Sequence, residues 1–287
     1  MQTLSFGLKP ALQLNTVETL RRMWTLADDG GFDGCWVIDH FAALGPDRTG
    51  DVFEAWTTLA AMAQATGRVR IGSMVTGNSH RHPGMLAKIA VTVDHLSGGR
   101  LDMGIGAGGD EMVHDMFGVP LGSIGERIDS LAEACQILKL LWSEPTTSFD
   151  GRHYRLTEAV ANPKPVQRPH PPLWVAGSGE RRSLRVVAEH ADVWINANLP
   201  GTPPEELARL SGVLDRHCED VGRDPATIRR AVQLRLPADP DGAMRMVEGH
   251  VRFGFTEIVL MIWDVGTAGI AAAESAAELL PKLRSLG

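Results

Sequence analysis

The sequence predicts an α/β fold, a closed (β/α)8 TIM barrel with an inserted segment after the fourth helix, all within one domain spanning residues 1–287. Two observations carry this. Short apolar runs alternate with amphipathic runs, the pattern of a parallel sheet with helical crossovers. Eight such pairs fit within a length typical of a barrel. A doubly wound open sheet is the competing arrangement. It lacks the glycine-rich first turn, GxGxxG, that would be expected after Leu8.

The elements follow in order. Leu4–Leu8 reads as the first strand, and Thr16–Asp29 has helical spacing (Val17, Leu20, Met23, Trp24, Ala27) before Gly30-Gly31. Cys35–Ile38 is the second strand, followed by a helix over Val52–Ala65 that ends at Gly67. Val69–Val75 is the third strand. Pro83 opens a helix that runs to Leu96 and stops at Gly98-Gly99, since proline suits a helix start and glycine the position past its end. Arg100–Ile105 is the fourth strand and Ile124–Trp142 the fourth helix.

The rhythm then breaks. Residues 145–172 hold six prolines and short β-like pieces around Thr146-Thr147 and Tyr154-Arg155-Leu156, an excursion over the surface. It resumes with strands at Leu173–Ala176, Val193–Asn196, Ile228–Leu234 and Glu257–Ile262. Helices over Glu180–His190, Pro203–Val221, Asp241–Phe253 and Ile270–Leu286 alternate with them.

Composition narrows the function. A chain that is 44% hydrophobic and 22% charged is ordinary for a globular protein, and a net charge of −7 argues against a nucleic-acid partner. The N-terminus has no apolar signal core, and no run approaches a membrane span, so no membrane partner and a cytoplasmic location are expected. Cys35, Cys135 and Cys218 are odd in number and widely spaced, so they read as buried free thiols.

In a barrel, chemistry collects at the C-terminal ends of the strands. The second strand stops on Asp39-His40, an acid and an imidazole placed where a barrel presents side chains to a ligand. The other ends carry Thr76-Gly77-Asn78-Ser79-His80-Arg81-His82, Gly106-Ala107-Gly108-Gly109-Asp110-Glu111, Gly177-Ser178-Gly179 and Asn196-Ala197-Asn198. LWVAGSGERR delivers a strand through a Gly-Ser-Gly turn into a helix, an arrangement suited to a phosphate, and equally found in turns that bind nothing. Arg181 and Arg182 could add charge there. His80-x-His82 could hold a metal, but the later strand ends offer only Asp264 to complete the set, so no metal is assigned. Trp263 and Phe6 are apolar candidates for lining the mouth.

These residues carry a resemblance over nearly the whole chain. GFDGCWVIDHF (31–41), HPGMLAKIAVTVDHLSGGRLDMGIGAGG (82–109), HDMFGVP (114–120), ERIDSLAEACQILKLLW (126–142), FDGRHYRL (149–156), PKPVQRPHPPLWVAGSGERR (163–182) and ADVWIN (191–196) resemble the luciferase-like monooxygenase superfamily. Within it they are similar to the branch that uses the deazaflavin coenzyme F420. The resemblance implies an oxidoreductase, often a homodimer, that transfers a hydride between coenzyme F420 and a small organic substrate. FMN in a two-component monooxygenase is the alternative.

By position, the resemblance implies His40 as the proton-transfer residue and Asp39 beside it at the cofactor ring. It places Met74 and Val75 at a bulge with a cis peptide against the ring face, with Thr76 next to them. Ala107 and Gly108 would offer backbone contacts and Gly177, Ser178 and Gly179 the phosphate cradle, while the three arginines Arg181, Arg182 and Arg185 would either meet the polyglutamate tail of the deazaflavin or stand as solvated helix charges. Sugar-phosphate dehydrogenases of the branch carry a glutamate where this chain has Gly109, a departure that weakens that substrate class and leaves the substrate open.

Overall fold

The structure is a computed structural model that describes residues 3–45, 47–196 and 201–287. The first half of the chain runs β1 (Ser5–Pro10), α1 (Val17–Asp29), β2 (Gly34–Val37), α2 (Ala55–Ala65), β3 (Arg70–Ser73), β4 (Thr76–Gly77), α3 (Pro83–Leu96) and β5 (Leu101–Gly106). Then come α4 (Glu111–Phe117), α5 (Ile124–Ser143), β6 (Thr147–Asp150), β7 (Arg155–Ala159), β8 (Leu173–Ala176) and α6 (Ser183–His190). The chain continues through β9 (Val193–Ile195), α7 (Pro204–Asp220), β10 (Arg229–Leu234), α8 (Pro240–Val251), β11 (Glu257–Ile262) and α9 (Gly266–Arg284).

The strands pair in parallel in the order β3-β2-β1-β11-β10-β9-β8-β5-β4, and β3 also pairs with β5, which closes the ring. β3 and β4 are two halves of one stave, separated by Met74-Val75, whose peptide bond is cis. The result is the eight-staved barrel that the sequence predicts. Local chemistry punctuates it. Thr16 caps α1, Glu54 caps α2, and Ser123 with Glu126 forms a capping box on α5.

Two apolar layers hold the ring. The outer one lies between staves and helices, and includes Leu8, Trp24, Ile71, Leu138, Trp142 and Trp194. The inner one fills the barrel with Trp36, Met74, Trp174, Ala176, Ile195 and Val259. The Trp36 and Trp174 rings sit 4.4 Å apart. Room for Trp36 comes from Gly7 and Gly72, where a Cβ would lie 2.5 Å from its ring. Small beside large on neighbouring staves is how a barrel interior reaches close packing.

Differences from the sequence reading are local. α4 lies in what reads as a loop, so the 145–172 excursion follows α5 instead of the fourth helix. α6 starts three residues later than expected, and Phe6 is fully buried in the outer layer instead of lining the mouth. Residues Ala197 and Asn198, noted at a strand end, lie outside the described residues. The three cysteines are buried free thiols, and burial pushes Cys35 and Cys135 up to about 12.

Residues 145–172 form the antiparallel hairpin β6–β7 and an extended return. Two carboxylates bind this excursion to the barrel. Glu133 of α5 accepts the backbone N–H groups of Arg152, His153 and Tyr154 at 2.8, 2.9 and 3.0 Å. Asp94 of α3 is fully buried and accepts the N–H groups of Val166 and Gln167 at 2.7 and 3.2 Å, and the Gln167 side-chain amide at 2.8 Å. Asp94→Ala strands those donors and is expected to destabilise the fold by about 2–4 kcal/mol. Chemical denaturation checks this; an unchanged midpoint would mean that Asp94 does not anchor the excursion.

Candidate functional site at the barrel mouth

The C-terminal ends of the staves surround a cavity of about 610 Å³. That is the size range of small-molecule sites. Asp39, His40, Met74, Val75, Ala107, Gly108, Gly177, Ser178 and Gly179 all line it, so one mouth gathers nearly every residue that the sequence singles out. Thr76 is the exception. It is fully buried, and its hydroxyl accepts the Trp56 indole N–H at 2.8 Å, which turns it away from the mouth and into the packing of α2. Trp263 lines the mouth as expected.

Asp39 follows β2 and is almost wholly buried. Burial alone would raise its pKa, but hydrogen bonds from His80 and Arg81 and the charge of Arg81 outweigh it and hold the carboxyl below its usual range. Arg81 reaches both carboxylate oxygens, at 2.5 and 3.1 Å, and also bonds Glu54 at 2.5 Å. Glu54 in turn accepts the N–H groups of Trp56 and Thr57, so the network runs from the mouth into the start of α2. His80 Nδ1 faces Asp39 at 3.5 Å. His82 Nδ1 instead accepts the Gly84 N–H at the start of α3, so the two histidines of the His-x-His pair serve different partners. Among the described residues, no three His, Cys, Asp or Glu side chains are placed to hold a metal.

His40 is the imidazole of the pair that meets the mouth, with its side chain 28% exposed. Its Nδ1 lies 3.8 Å from Asp110 Oδ2, too long for a hydrogen bond but close enough for charge to act. Burial lowers the His40 pKa; Asp110 opposes that, and His80 and Lys9 reinforce it. Asp110 also accepts a hydrogen bond from Arg48 at 2.8 Å and precedes α4 in a left-handed backbone conformation, φ 61°. α4 is tied to the rim by His114, which bonds the Asp110 carbonyl at 3.0 Å and the Ser79 hydroxyl at 2.8 Å.

At the other side of the mouth, β8 hands over to Gly177-Ser178-Gly179. The backbone here packs on the first turn of α6: a Cβ on Gly177 would sit 2.9 Å from Ser183 Cβ. Glycine at 177 is therefore required by this packing as well as by any ligand. Arg182 pairs with Asp129 and Arg185 with Glu189 on the surface, so two of the three arginines are already partnered. Arg127 from α5 lines the mouth; it donates to the Gly108 carbonyl, and its buried Nε has no partner among the described residues.

Sequence reasoning missed Lys9, Gln233 and Arg127, which line the same cavity. Lys9 lies one residue past Leu4–Leu8, the run that reads as the first strand, and β1 in fact extends over it; Arg127 belongs to a long helix whose mouth-facing side only the packing reveals.

Arg81→Leu tests the Asp39 network. Asp39 has a depressed folded pKa, so its stabilising contribution is present above the unfolded value and is lost as pH falls through the folded one. Without Arg81, burial should push that pKa up. The variant is expected to lose about 3–5 kcal/mol near neutral pH, with the deficit shrinking as acid neutralises Asp39. Thermal unfolding across pH measures it; a deficit independent of pH would rule out Asp39 as the charged partner.

Comparisons with known proteins agree with this architecture. Residues 3–254 match the model of the luciferase-like monooxygenase family. An uncharacterized protein of Mycobacterium tuberculosis is 31% identical over 264 residues, 86% of this chain and 88% of that protein. An F420-dependent glucose-6-phosphate dehydrogenase of Kineococcus radiotolerans is 29% identical over 248 residues, 85% of this chain and 71% of that one. The solved structure of an F420-dependent secondary alcohol dehydrogenase in complex with an F420-acetone adduct superposes with a TM-score of 0.87. It covers 98% of this chain and 99% of that one, at 18% identity, and shows the shared fold.

Proposed function

This chain belongs to the luciferase-like monooxygenase family, and from that premise we propose that it is an oxidoreductase that transfers a hydride between coenzyme F420 and a small organic substrate. The observation that carries this reading is the convergence of His40, the Met74-Val75 face, the Ala107-Gly108 edge and the Gly177-Ser178-Gly179 turn on one cavity. The names of relatives that use F420 support the deazaflavin over FMN.

The residues present fit such a group. Met74 and Val75 form an apolar face, Ala107 and Gly108 a backbone edge, and Ser178, Gly179 and Ser183 a polar end suited to phosphate. Arg127 adds a guanidinium in the mouth that suits an anionic ligand. When bound, the deazaflavin would supply a ring carbon that gives or accepts a hydride.

The protein's own part is proton handling, orientation and exclusion of water. His40 faces Asp110 with Nδ1, which leaves Nε2 to exchange a proton with the substrate oxygen. Burial favours its neutral form, so at neutral pH it is ready to accept a proton as an alcohol is oxidised; in the reverse direction its cation returns that proton. Asp110 stabilises the cation that forms. Asp39, committed to Arg81, stays ionised and holds the rim in place. Gly109 offers no acid at the position where sugar-phosphate dehydrogenases carry one, and we therefore assign the proton to His40 alone.

His40→Ala is expected to keep F420 affinity within a few-fold and to slow F420-linked turnover by about 10²-fold or more. In alcohol oxidation, the acid limb of the wild-type pH profile should fall below the ordinary imidazole value of 6.5, and Asp110→Asn should move it lower still. Steady-state rates followed by the deazaflavin's visible absorbance read both. Unchanged turnover in His40→Ala would exclude it as the proton carrier.

A further inference from the structure

Lys9 is the one lysine whose side chain lines the mouth among the described residues. It sits near the end of β1, in register with Met261 of β11, and only 6% of it is exposed. Its ammonium donates to the Gln233 side-chain carbonyl of β10. No carboxylate among the described residues forms an ion pair with it. Lys9 also lines a smaller apolar cleft with Ile38, Leu44, Met261 and Trp263, and its charge acts on His40. The acids of the mouth are engaged elsewhere: Asp39 with Arg81, Asp110 with Arg48.

A buried ammonium without a counter-ion is costly, and one neutral hydrogen bond offsets only part of that cost. We propose that Lys9 and Gln233 form an anion-receiving corner of the mouth, where an anionic oxygen of a bound ligand supplies the missing counter-charge. Gln233 holds the Lys9 nitrogen in place and offers its own amide N–H groups to a second oxygen. The apolar lining selects a ligand with a hydrocarbon body and one anionic oxygen group. Two sources share this chemistry: a carboxylate on the substrate, or an anionic oxygen of the cofactor ring. The inference rests on the mouth being the ligand site proposed above and specifies what it takes.

Burial alone pulls the Lys9 pKa down to about 7, so its protonation reports on an arriving anion. The titratable and charged groups that share the mouth with it are Asp39 and His40 after β2, His80 after β4, Asp110 after β5 and Arg127 of α5, which stays charged throughout; β10, β11 and the residue after β11 add Gln233, Met261 and Trp263, none of which titrates in this range. The chain has only five lysines, so NMR of lysine labelled at Cε resolves each one, and Lys9→Met assigns the signal of interest.

The experiment titrates Lys9 in the full-length protein alone, with benzoate, with benzamide of the same shape, and with coenzyme F420, whose binding is followed by fluorescence. Benzoate is expected to raise the Lys9 pKa by about one unit or more while benzamide leaves it in place. That result assigns the corner to a substrate anion. A rise with F420 and none with benzoate assigns it to the cofactor ring. If neither benzoate nor F420 moves Lys9, or if benzamide moves it as far as benzoate does, the inference is overturned. F420 that fails to bind the wild-type protein counts against the proposed cofactor, and the benzoate arm then still decides the role of Lys9.

Discussion

The buried ion pair between Asp39 and Arg81 is the interaction on which the mouth depends. Asp39 leaves the end of β2, and Arg81 stands just before α3. Their contact joins two neighbouring staves above the point where the sheet hydrogen bonds stop. Arg81 extends the link to Glu54 and so to the start of α2. Breaking a buried pair leaves a charge in a dry interior, so this link is stiff. His40 is the next residue along from Asp39, and its placement follows from that stiffness. A carboxylate held ionised in this way is poorly suited to carry protons, which is why the proton carrier proposed above is the half-buried imidazole beside it.

The charge layout of the mouth follows from the same logic. Negative groups are paired off within the rim, Asp39 with Arg81 and Asp110 with Arg48. Arg127 remains as a cation that has no acid partner among the described residues, and Lys9, whose pKa burial pulls down, has none either. A chain with a net charge of −7 thus places two basic groups without acid partners at its mouth, the basis of the anion-receiving corner proposed above. Field focusing in a cleft depends on which charges line it, and the sum over the whole surface says little about it.

Most of the architecture was legible from the sequence because a barrel repeats one rule eight times, and each glycine or proline stop marks an element boundary. The candidate rim was legible for the same reason: strand ends fall on one side of a barrel whatever its side chains. What stayed hidden depends on which way a side chain points. Strands buried on both faces do not alternate between apolar and polar, so nothing in SFGLKP marks Lys9 as inward-facing and Phe6 as outward-facing. Thr76 sits between residues that reach the mouth, yet Trp56 claims its hydroxyl from a distant helix. The short helix α4 follows a left-handed Asp110 whose side chain makes no capping hydrogen bond, so the usual N-cap arrangement does not mark its start. The glycine of the Gly-Ser-Gly turn reads in the sequence as a candidate ligand contact, while its packing against Ser183 is visible only in the structure.

The central claim is that this mouth binds a deazaflavin for hydride transfer. The most direct test is a fluorescence-quenching titration of the apo protein against coenzyme F420 and FMN in parallel. Micromolar or tighter binding of F420, with FMN much weaker, is the predicted result. Preference for FMN would contradict it and turn the chemistry toward an oxygen-using monooxygenase in the same fold.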